Sequence, residues 1–249
     1  MFKEQYPVAW EFHKNSSRSI FQLYDSDISG KIDAPYKEYP SCNSIQLGIP
    51  NNIDAGLSQA LSNRHSCRDF DNISLQLATL STLLFHGLGT TGVTVIENQS
   101  FLKRTYPSAG GLYPSEFYII MRHVESINPG IYHYCVGPHI LEEVKLINIP
   151  DPLITSVFMN QWYLSKASAI LVATSFINRT MWKYGDRGYR YMLLELGHTF
   201  QNLNLISASL GVSCLNIGGF FDEDLSMLLS IDTNEEIPLY AMAIGAPKV

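Results

Sequence analysis

The feature that most restricts the fold is a long helical pattern, 187-RGYRYMLLELGHTFQNLNLISASLG-211. It is periodic over about six turns and is apolar around most of its circumference. It ends at Gly211, and glycine is the residue that helix C-caps favour. Because so little of this helix suits water, it must be buried on several sides. The chain therefore needs a fold in which one long helix packs against several neighbours.

Strand-like segments occur on both sides of this helix in the sequence. The run 168-SAILVATSFI-177 is almost continuously apolar, which is typical of a strand covered on both faces. We also expect strands over 116–124, over 130–144 as two strands around a Val-Gly-Pro turn, over 212–221 and over 238–247. Shorter helices are expected within 54–70, over 74–89, after Pro150 and over 222–231. This order of elements predicts an α+β domain.

The length and composition suit one large globular unit, since the 249 residues are 46% hydrophobic and 16% charged. Residues 1–53 are rich in Ser, Pro, Tyr and Asp and are predicted to be an irregular segment with a short helix over 8–17. We expect this segment to pack on the domain that residues 54–249 form. The sequence contains no repeat and no linker.

Charge and spacing exclude several classes of function. The net charge of -6, without a basic run, argues against nucleic acid and anionic lipid as partners. The longest apolar runs are far shorter than the roughly 20 residues that a membrane span needs, so we expect a cytoplasmic protein. The four cysteines form no CxxC and the seven histidines no HxH or HExxH, so no metal site is predicted.

Two arginines and a serine alternate in 64-RHSCRDF-70. In an extended loop, Arg64, Ser66 and Arg68 would point to one side and offer two guanidinium groups and a hydroxyl to a phosphate. The alternative is a pair of solvated arginines at a helix end.

Small residues are concentrated in two other segments, 104-RTYPSAGGLYPSEFYII-120 and 216-NIGGFF-221. Consecutive small residues allow backbone N–H groups to approach a flat ligand closely. The alternative is that both segments are only tight turns. One phosphate-binding pattern and two segments suited to a planar ring together favour a flavin mononucleotide (FMN) site.

These segments resemble the SagB-type branch of the nitroreductase-like flavoproteins, the FMN-dependent dehydrogenases that oxidise azolines to azoles in ribosomal peptide biosynthesis. The resemblance runs from Leu57 to Pro247 and rests on RHSCRDF, YPSAGGLYPSEFYI, GIYHYCVGPHILEEV, MWKYGDRGYR and NIGGFF, in the family's order. It implies a nitroreductase-like α+β fold, in which helices flank a central, mostly antiparallel sheet. It also implies that the long helix is buried at a dimer interface.

The resemblance assigns cofactor-binding roles to residues of this chain. It implies that the FMN phosphate and ribityl chain are bound by Arg64, Ser66 and Arg68, with Lys248 as a second basic group. It implies that the isoalloxazine is lined by Pro107, Ser108, Ala109 and Gly110, with Gly218 and Gly219 near flavin N5 and O4. Ordinary nitroreductases tend to carry an amide pair where Gly111 and Tyr113 stand here, a departure that favours the SagB-type branch over nicotinamide-driven nitroreduction.

The segment 181-MWKYGDRGYR-190 carries the residues that the resemblance implies are catalytic, Lys183 and Tyr184. Aromatising an azoline removes a hydride and a proton, and a side chain must accept the proton. A tyrosine is a poor base at neutral pH unless a cation favours its ionised form, whereas a desolvated lysine can serve itself. The sequence leaves this choice open. The alternative is a surface lysine beside a packed aromatic ring.

The implied function is oxidation of thiazoline or oxazoline rings in a ribosomally made peptide, with oxygen reoxidising the flavin. The implied partners are a second copy of the chain and a cyclodehydratase. Alternatives are an oxidase of carrier-tethered rings, an NAD(P)H-dependent reductase, or a flavoprotein scaffold for a cyclodehydratase complex. Three polar residues on the long helix, Glu195, Gln201 and Asn202, need partners if buried and could satisfy one another across a dimer.

Overall fold

The computed structural model describes residues 2–17, 36–96 and 99–246. Within these residues the strands are β1 (Ser44–Gln46), β2 (Thr90–Ile96), β3 (Gln99–Arg104), β4 (Ser115–Met121), β5 (Gly130–Cys135), β6 (Ile140–Leu146), β7 (Ala169–Phe176), β8 (Ser213–Ile217) and β9 (Glu236–Gly245). The α-helices are α1 (Phe2–Gln5), α2 (Pro7–Asn15), α3 (Leu57–Asn63), α4 (Leu77–Leu88), α5 (Asp151–Val157), α6 (Ile177–Tyr184), α7 (Arg187–Leu210) and α8 (Asp222–Leu229).

Seven strands form one sheet in the order β1-β6-β5-β4-β7-β9-β8, and every neighbouring pair is antiparallel. The central strand is β4, in which every residue is buried, and its neighbour β7 is buried at all residues except Phe176. One face packs on α4 and α7, and the other packs on α5 and α8. This arrangement confirms the predicted α+β architecture with helices on both sides of a central antiparallel sheet.

In the single chain the long helix α7 is buried along one stripe, and not on the several sides that its sequence predicts. Met192, Leu196, Phe200 and Leu203 are buried at intervals of four, four and three residues, which keeps them on one face. The adjacent residues Leu193 and Leu194 are 42% and 54% exposed in the single chain. One side of α7 is therefore left without a covering element among the described residues.

The N-terminal segment is more regular than we expected from its composition. The helix predicted over 8–17 is present as α2, and β1 adds an edge strand beside β6. Arg187 donates to the Ser16 carbonyl at 2.9 Å, and Arg190 donates to the Ser16 hydroxyl at 2.5 Å. Cations at a helix C-terminus are favourable, so these two arginines hold α2 against α7. The division of the chain near residue 53 stays a prediction.

A hairpin of β2 and β3 stands apart from the main sheet, and the sequence analysis did not predict it. Val93 and Val95 of this hairpin are exposed, so these apolar residues are not part of the hydrophobic core.

In the described part of the chain, no helix combines the length and the apolar character that crossing a bilayer would require.

Candidate active site

The loop between β3 and β4 has a backbone that only small residues accept easily. Gly110 and Gly111 have φ angles of +64° and +66°, a conformation that favours glycine. The Tyr113 N–H donates to Ser108 Oγ at 2.9 Å and closes the loop on itself. Pro107 is exposed, whereas Ser108 and Ala109 are half-buried. The segment therefore presents an open backbone surface, as its composition predicts.

The side chains of Lys183 and Tyr184 end against this loop. A Cβ atom added at Gly110 would lie 2.6 Å from Tyr184 Oη and 3.0 Å from Lys183 Nζ. The Lys183 ammonium lies 5.4 Å from the centre of the Tyr184 ring, within the range of a cation–π interaction. The structure thus brings the predicted catalytic pair into contact with the predicted ring-binding loop, although more than 70 residues separate them in the sequence.

The dipeptide is fixed at the end of a short helix. Helix α6 stops at Gly185, whose φ angle is +54°. The Tyr184 ring packs edge-on against Tyr191 of α7, with centroids 5.0 Å apart. A Cβ atom at Gly188 would lie 3.2 Å from the Met181 Cα atom, so glycine allows α6 and α7 to pack closely. These contacts set the position of the Tyr184 ring.

A buried carboxylate lies beneath the loop. Glu195 of α7 is 3% exposed, and Ser115 donates to its Oε1 atom at 2.7 Å. Burial raises the pKa of Glu195, and hydrogen bonds from Ser108 and Ser115 together with the charge of Arg104 offset part of that rise. Glu195 therefore contacts a residue predicted to line the isoalloxazine, Ser108, and the first residue of β4.

The expectation that the polar residues of α7 pair across a dimer is corrected for two of them. Glu195 has its partners in its own chain, and Asn202 donates to the Thr105 carbonyl at 3.1 Å. Gln201 is exposed. Because the buried Glu195 and the half-buried Asn202 are both satisfied within one chain, they give no support to a dimer interface.

The basic loop after α3 is attached to β8. The Cys67 N–H donates to the Cys214 carbonyl at 2.9 Å, and Arg64, Ser66 and Arg68 are all exposed. Arg64 lines a cavity of about 440 Å³ together with residues from the C-terminal half of α7 and the start of β8, including Asn204, Ala208, Ser213 and Cys214. The loop therefore offers Arg64 to an open, partly polar space, whereas Ser66 and Arg68 are not among the residues that line this cavity.

The glycine pair lies at the other end of β8. A Cβ atom at Gly218 would meet only the Tyr240 ring, at 3.9 Å, so there is open space beside its backbone. The Gly219 carbonyl accepts a hydrogen bond from Gln161 Nε2 at 3.0 Å. The buried Oδ1 atom of Asn216 has no hydrogen-bond partner. Lys248, the predicted second basic group, lies outside the described residues.

The predicted site residues form two groups within one chain. The basic loop lies at the start of β8 and the glycine pair at its end, and the four residue steps from Cys214 to Gly218 span about 13 Å. The ring-binding loop, Lys183 and Tyr184 lie near the N-terminal half of α7, and Glu195 is about 14 Å along the helix axis from Asn204. Within one chain the basic loop therefore lies beside the C-terminal half of α7 and the predicted catalytic pair beside its N-terminal half. Gly218 lies beside Tyr240, which packs on Phe200 in the middle of this helix.

Sequence reasoning missed two residues close to the candidate site, Glu116 and Arg179. Both are buried, and Arg179 Nη1 donates to Glu116 Oε1 at 2.5 Å. The sequence did contain a signal for Glu116, because it is the one charged residue in the strand-like run 115-SEFYIIM-121.

Among residues 2–17, 36–96 and 99–246, no group of three or more His, Cys, Asp or Glu side chains is placed to hold a metal ion.

A match to a protein-family model shows the family to which this chain belongs. The model of the Nitroreductase family matches residues 61–246, which is more than half of the chain. The chain belongs to the nitroreductase family. Its relatives include a protein of Methanocaldococcus jannaschii that carries the name nitroreductase, 30% identical over 82% of this chain and 97% of that protein. Another is the Microcin B17-processing protein McbC of Escherichia coli, 26% identical over 70% of this chain and 64% of that protein.

Solved structures of this family have the same fold. A nitroreductase-family protein of Anabaena variabilis matches 95% of this chain with a TM-score of 0.76 and 26% identity, but this chain spans 45% of that protein. A chain of the E. coli microcin synthetase McbBCD complex, solved with truncated pro-MccB17 bound, matches 96% of this chain and 87% of its own length, with a TM-score of 0.63 and 23% identity. The similarity to the chain of the McbBCD complex supports the fold.

Proposed function

We propose that this protein is an FMN-dependent dehydrogenase of the SagB type, which oxidises thiazoline or oxazoline rings in a ribosomally made peptide to thiazole or oxazole. The observation that carries the proposal is the contact of Lys183 and Tyr184 with Gly110. Membership of the nitroreductase family supports oxidoreductase chemistry with a flavin. The relative named for processing of microcin B17 supports a peptide substrate.

The residues fit FMN. Arg64, Ser66 and Arg68 would hold the phosphate and the ribityl chain beside the cavity of about 440 Å³. Residues 107–110 and the glycine pair Gly218 and Gly219 would line the ring, and open space beside the Gly218 backbone supports this placement. When bound, FMN would accept the hydride from the azoline ring, and oxygen would then reoxidise it.

Lys183 and Tyr184 would act on the proton of the azoline. Their polar atoms lie at the loop that lines the ring, and so they would face the carbon that bears the carbonyl group. Tyr184 Oη, which ends against this loop, would accept the proton. A desolvated lysine would serve equally well, and the geometry suits either residue.

The test is an oxygen-consuming assay with a purified azoline peptide, in which mass spectrometry measures the loss of two hydrogens per ring. The proposal predicts this loss without added nicotinamide. Turnover of a nitroarene with NADPH, and none of the peptide, would instead identify a reductase. Activity only on a carrier-tethered ring would identify the related oxidase. Normal peptide maturation by a variant unable to bind flavin would identify a scaffold.

Arg64→Ala should release the flavin. Arg64 lines the cavity predicted to take the phosphate, and a guanidinium–phosphate contact is charge-assisted. We expect the wild-type protein to be yellow and to release FMN on denaturation, and the variant to lose most of this flavin. Lys145→Ala is a matched control, because it removes an exposed cation far from this loop. Full flavin content in the Arg64 variant would contradict the assigned phosphate site.

A homodimer is part of the proposal. One side of α7, with Leu193 and Leu194, is exposed in the single chain, and two halves of the predicted site, the basic loop and the catalytic pair, lie at different ends of this helix. A second copy could bring the halves together. We expect a dimer by sedimentation at micromolar concentration, whereas a flavin-loaded monomer would contradict this prediction. The likeness to a chain of a microcin synthetase complex is the reason to propose a cyclodehydratase partner. A cytoplasmic location is also part of the proposal.

A further inference from the structure

Buried charges occupy the face of the sheet opposite α7, next to the candidate site. Glu116 of β4 is 1% exposed. Its Oε1 atom accepts hydrogen bonds from Arg179 Nη1 at 2.5 Å and from the Lys37 N–H at 2.8 Å. One carboxylate thus binds both α6 and the segment that precedes β1.

The second oxygen of Glu116 continues the network across the sheet. His133 Nε2 lies 3.1 Å from Glu116 Oε2, and His133 Nδ1 lies 2.7 Å from Glu142 Oε2. Burial alone would raise the pKa of Glu116, but the hydrogen bond with His133 and the charge of Arg179 outweigh it and hold this pKa below its usual value. Burial would likewise lower the pKa of His133, and its two carboxylate partners raise it instead. Glu116 is therefore ionised at neutral pH.

Arg179 has little else to hold it. It is 4% exposed, and among the described residues Glu116 is the one carboxylate within ion-pair distance. Its guanidinium also lies 4.4 Å from the Phe176 ring centre, and its Nε atom has no hydrogen-bond partner within residues 2–17, 36–96 and 99–246. Removing the charge of Glu116 would leave a buried guanidinium without a counter-ion, which is strongly unfavourable.

Arg179 belongs to the helix that carries the predicted catalytic pair. It stands four residues before Lys183, or about one helical turn. Helix α6 has eight residues, too few to be stable by local propensity, so its position depends on tertiary contacts. Glu116, in turn, is the second residue of β4, immediately after the loop that contains Gly110.

We propose that Glu116 is a positioning residue: its ion pair with Arg179 holds α6 so that Lys183 and Tyr184 end against Gly110. The effect of Glu116 on catalysis rests on the proposed function. Its effect on the position of α6 does not, because that position can be measured without a substrate. Glu116 contacts neither the predicted ring-binding residues nor the catalytic pair through its side chain, and it acts through Arg179.

The test compares Glu116→Gln with Glu142→Gln in the flavin-loaded protein. Both variants neutralise a buried carboxylate bonded to His133, but only Glu116 contacts Arg179. Hydrogen exchange measured by mass spectrometry should become faster in α6 by a factor on the order of 10 in the Glu116 variant. In the Glu142 variant, exchange should increase around β6 and the segment before β1 and stay unchanged in α6. Equal exchange of α6 in both variants, or no change in either, overturns the proposal.

Turnover gives a second measurement. In Glu116→Gln we expect kcat per bound flavin to fall by a factor on the order of 10, with KM within about twofold, because binding groups are untouched. A merely structural role would lower the melting temperature and the flavin content, and leave kcat per flavin unchanged. If wild-type protein oxidises no azoline, the proposed function fails, whereas the exchange measurement still decides the role of Glu116.

A double variant keeps the test decisive if Glu116→Gln does not fold. Glu116→Gln with Arg179→Met removes both charges, and neutral replacement of a buried ion pair is often tolerated. We expect this variant to fold and bind FMN, with α6 exchanging faster and kcat per flavin reduced. Wild-type exchange in α6 would overturn the proposal.

Discussion

Replacing Lys183 by Ala or Tyr184 by Phe is expected to lower turnover of an azoline peptide by a factor on the order of 10² or more, the usual scale of general acid–base contributions. FMN content and oligomeric state should stay nearly unchanged. The reason is geometric, because both side chains end at Gly110 on the loop and away from the basic loop that would hold the phosphate. Steady-state kinetics per bound flavin measures the effect.

The matched control for this prediction is Tyr191→Phe. The Tyr191 ring packs edge-on against Tyr184, so the variant removes a hydroxyl from the same aromatic pair and keeps the packing. It should retain most of the wild-type rate. If Lys183→Ala and Tyr184→Phe both kept full rates between about pH 6 and 9, the proton would leave by another route and the assigned role would be wrong.

Gly110→Ala should reduce turnover about as much as Tyr184→Phe. The added methyl group would lie 2.6 Å from Tyr184 Oη and 3.0 Å from Lys183 Nζ, so both side chains must move away from the ring-binding loop. A displacement of about 1 Å in a catalytic group can cost a factor on the order of 10². Kinetics with the flavin-loaded variant, together with its melting temperature, gives the measurement.

Gly111→Ala separates this contact from backbone strain. Gly111 has nearly the same φ angle as Gly110, at +66° against +64°, but a Cβ atom there would meet no atom within 4 Å. Both variants should lose about 1–2 kcal/mol of stability because an L-residue is strained at positive φ. Only the Gly110 variant should lose most of its turnover. Equal turnover in the two alanine variants would mean that the contact with Lys183 and Tyr184 does not matter for catalysis.

Much of the fold could be predicted because its elements carry strong local patterns. The strand over 169–176 is apolar along its whole length, and α7 repeats its buried residues with the helical period up to Gly211, whose φ angle is +70°. Elements that escaped prediction, among them the β2–β3 hairpin and α6, lack such patterns. The hairpin of β2 and β3 exposes its valines, and α6 has only eight residues with a buried arginine in their middle.

The sequence by itself determined the order of the elements, the glycine-rich loop at Gly110 and Gly111, and the residue types able to bind FMN. Only the tertiary structure decided which of these groups meet. Gly110 contacts Tyr184, Glu195 accepts from Ser115, and Glu116 binds Arg179, and each pair is more than 60 residues apart in the sequence. Periodicity reports which face of an element is buried, because burial depends on the element's own axis. Periodicity does not tell which segment packs against that face, because this segment is selected by the close packing of residues that are distant in the sequence.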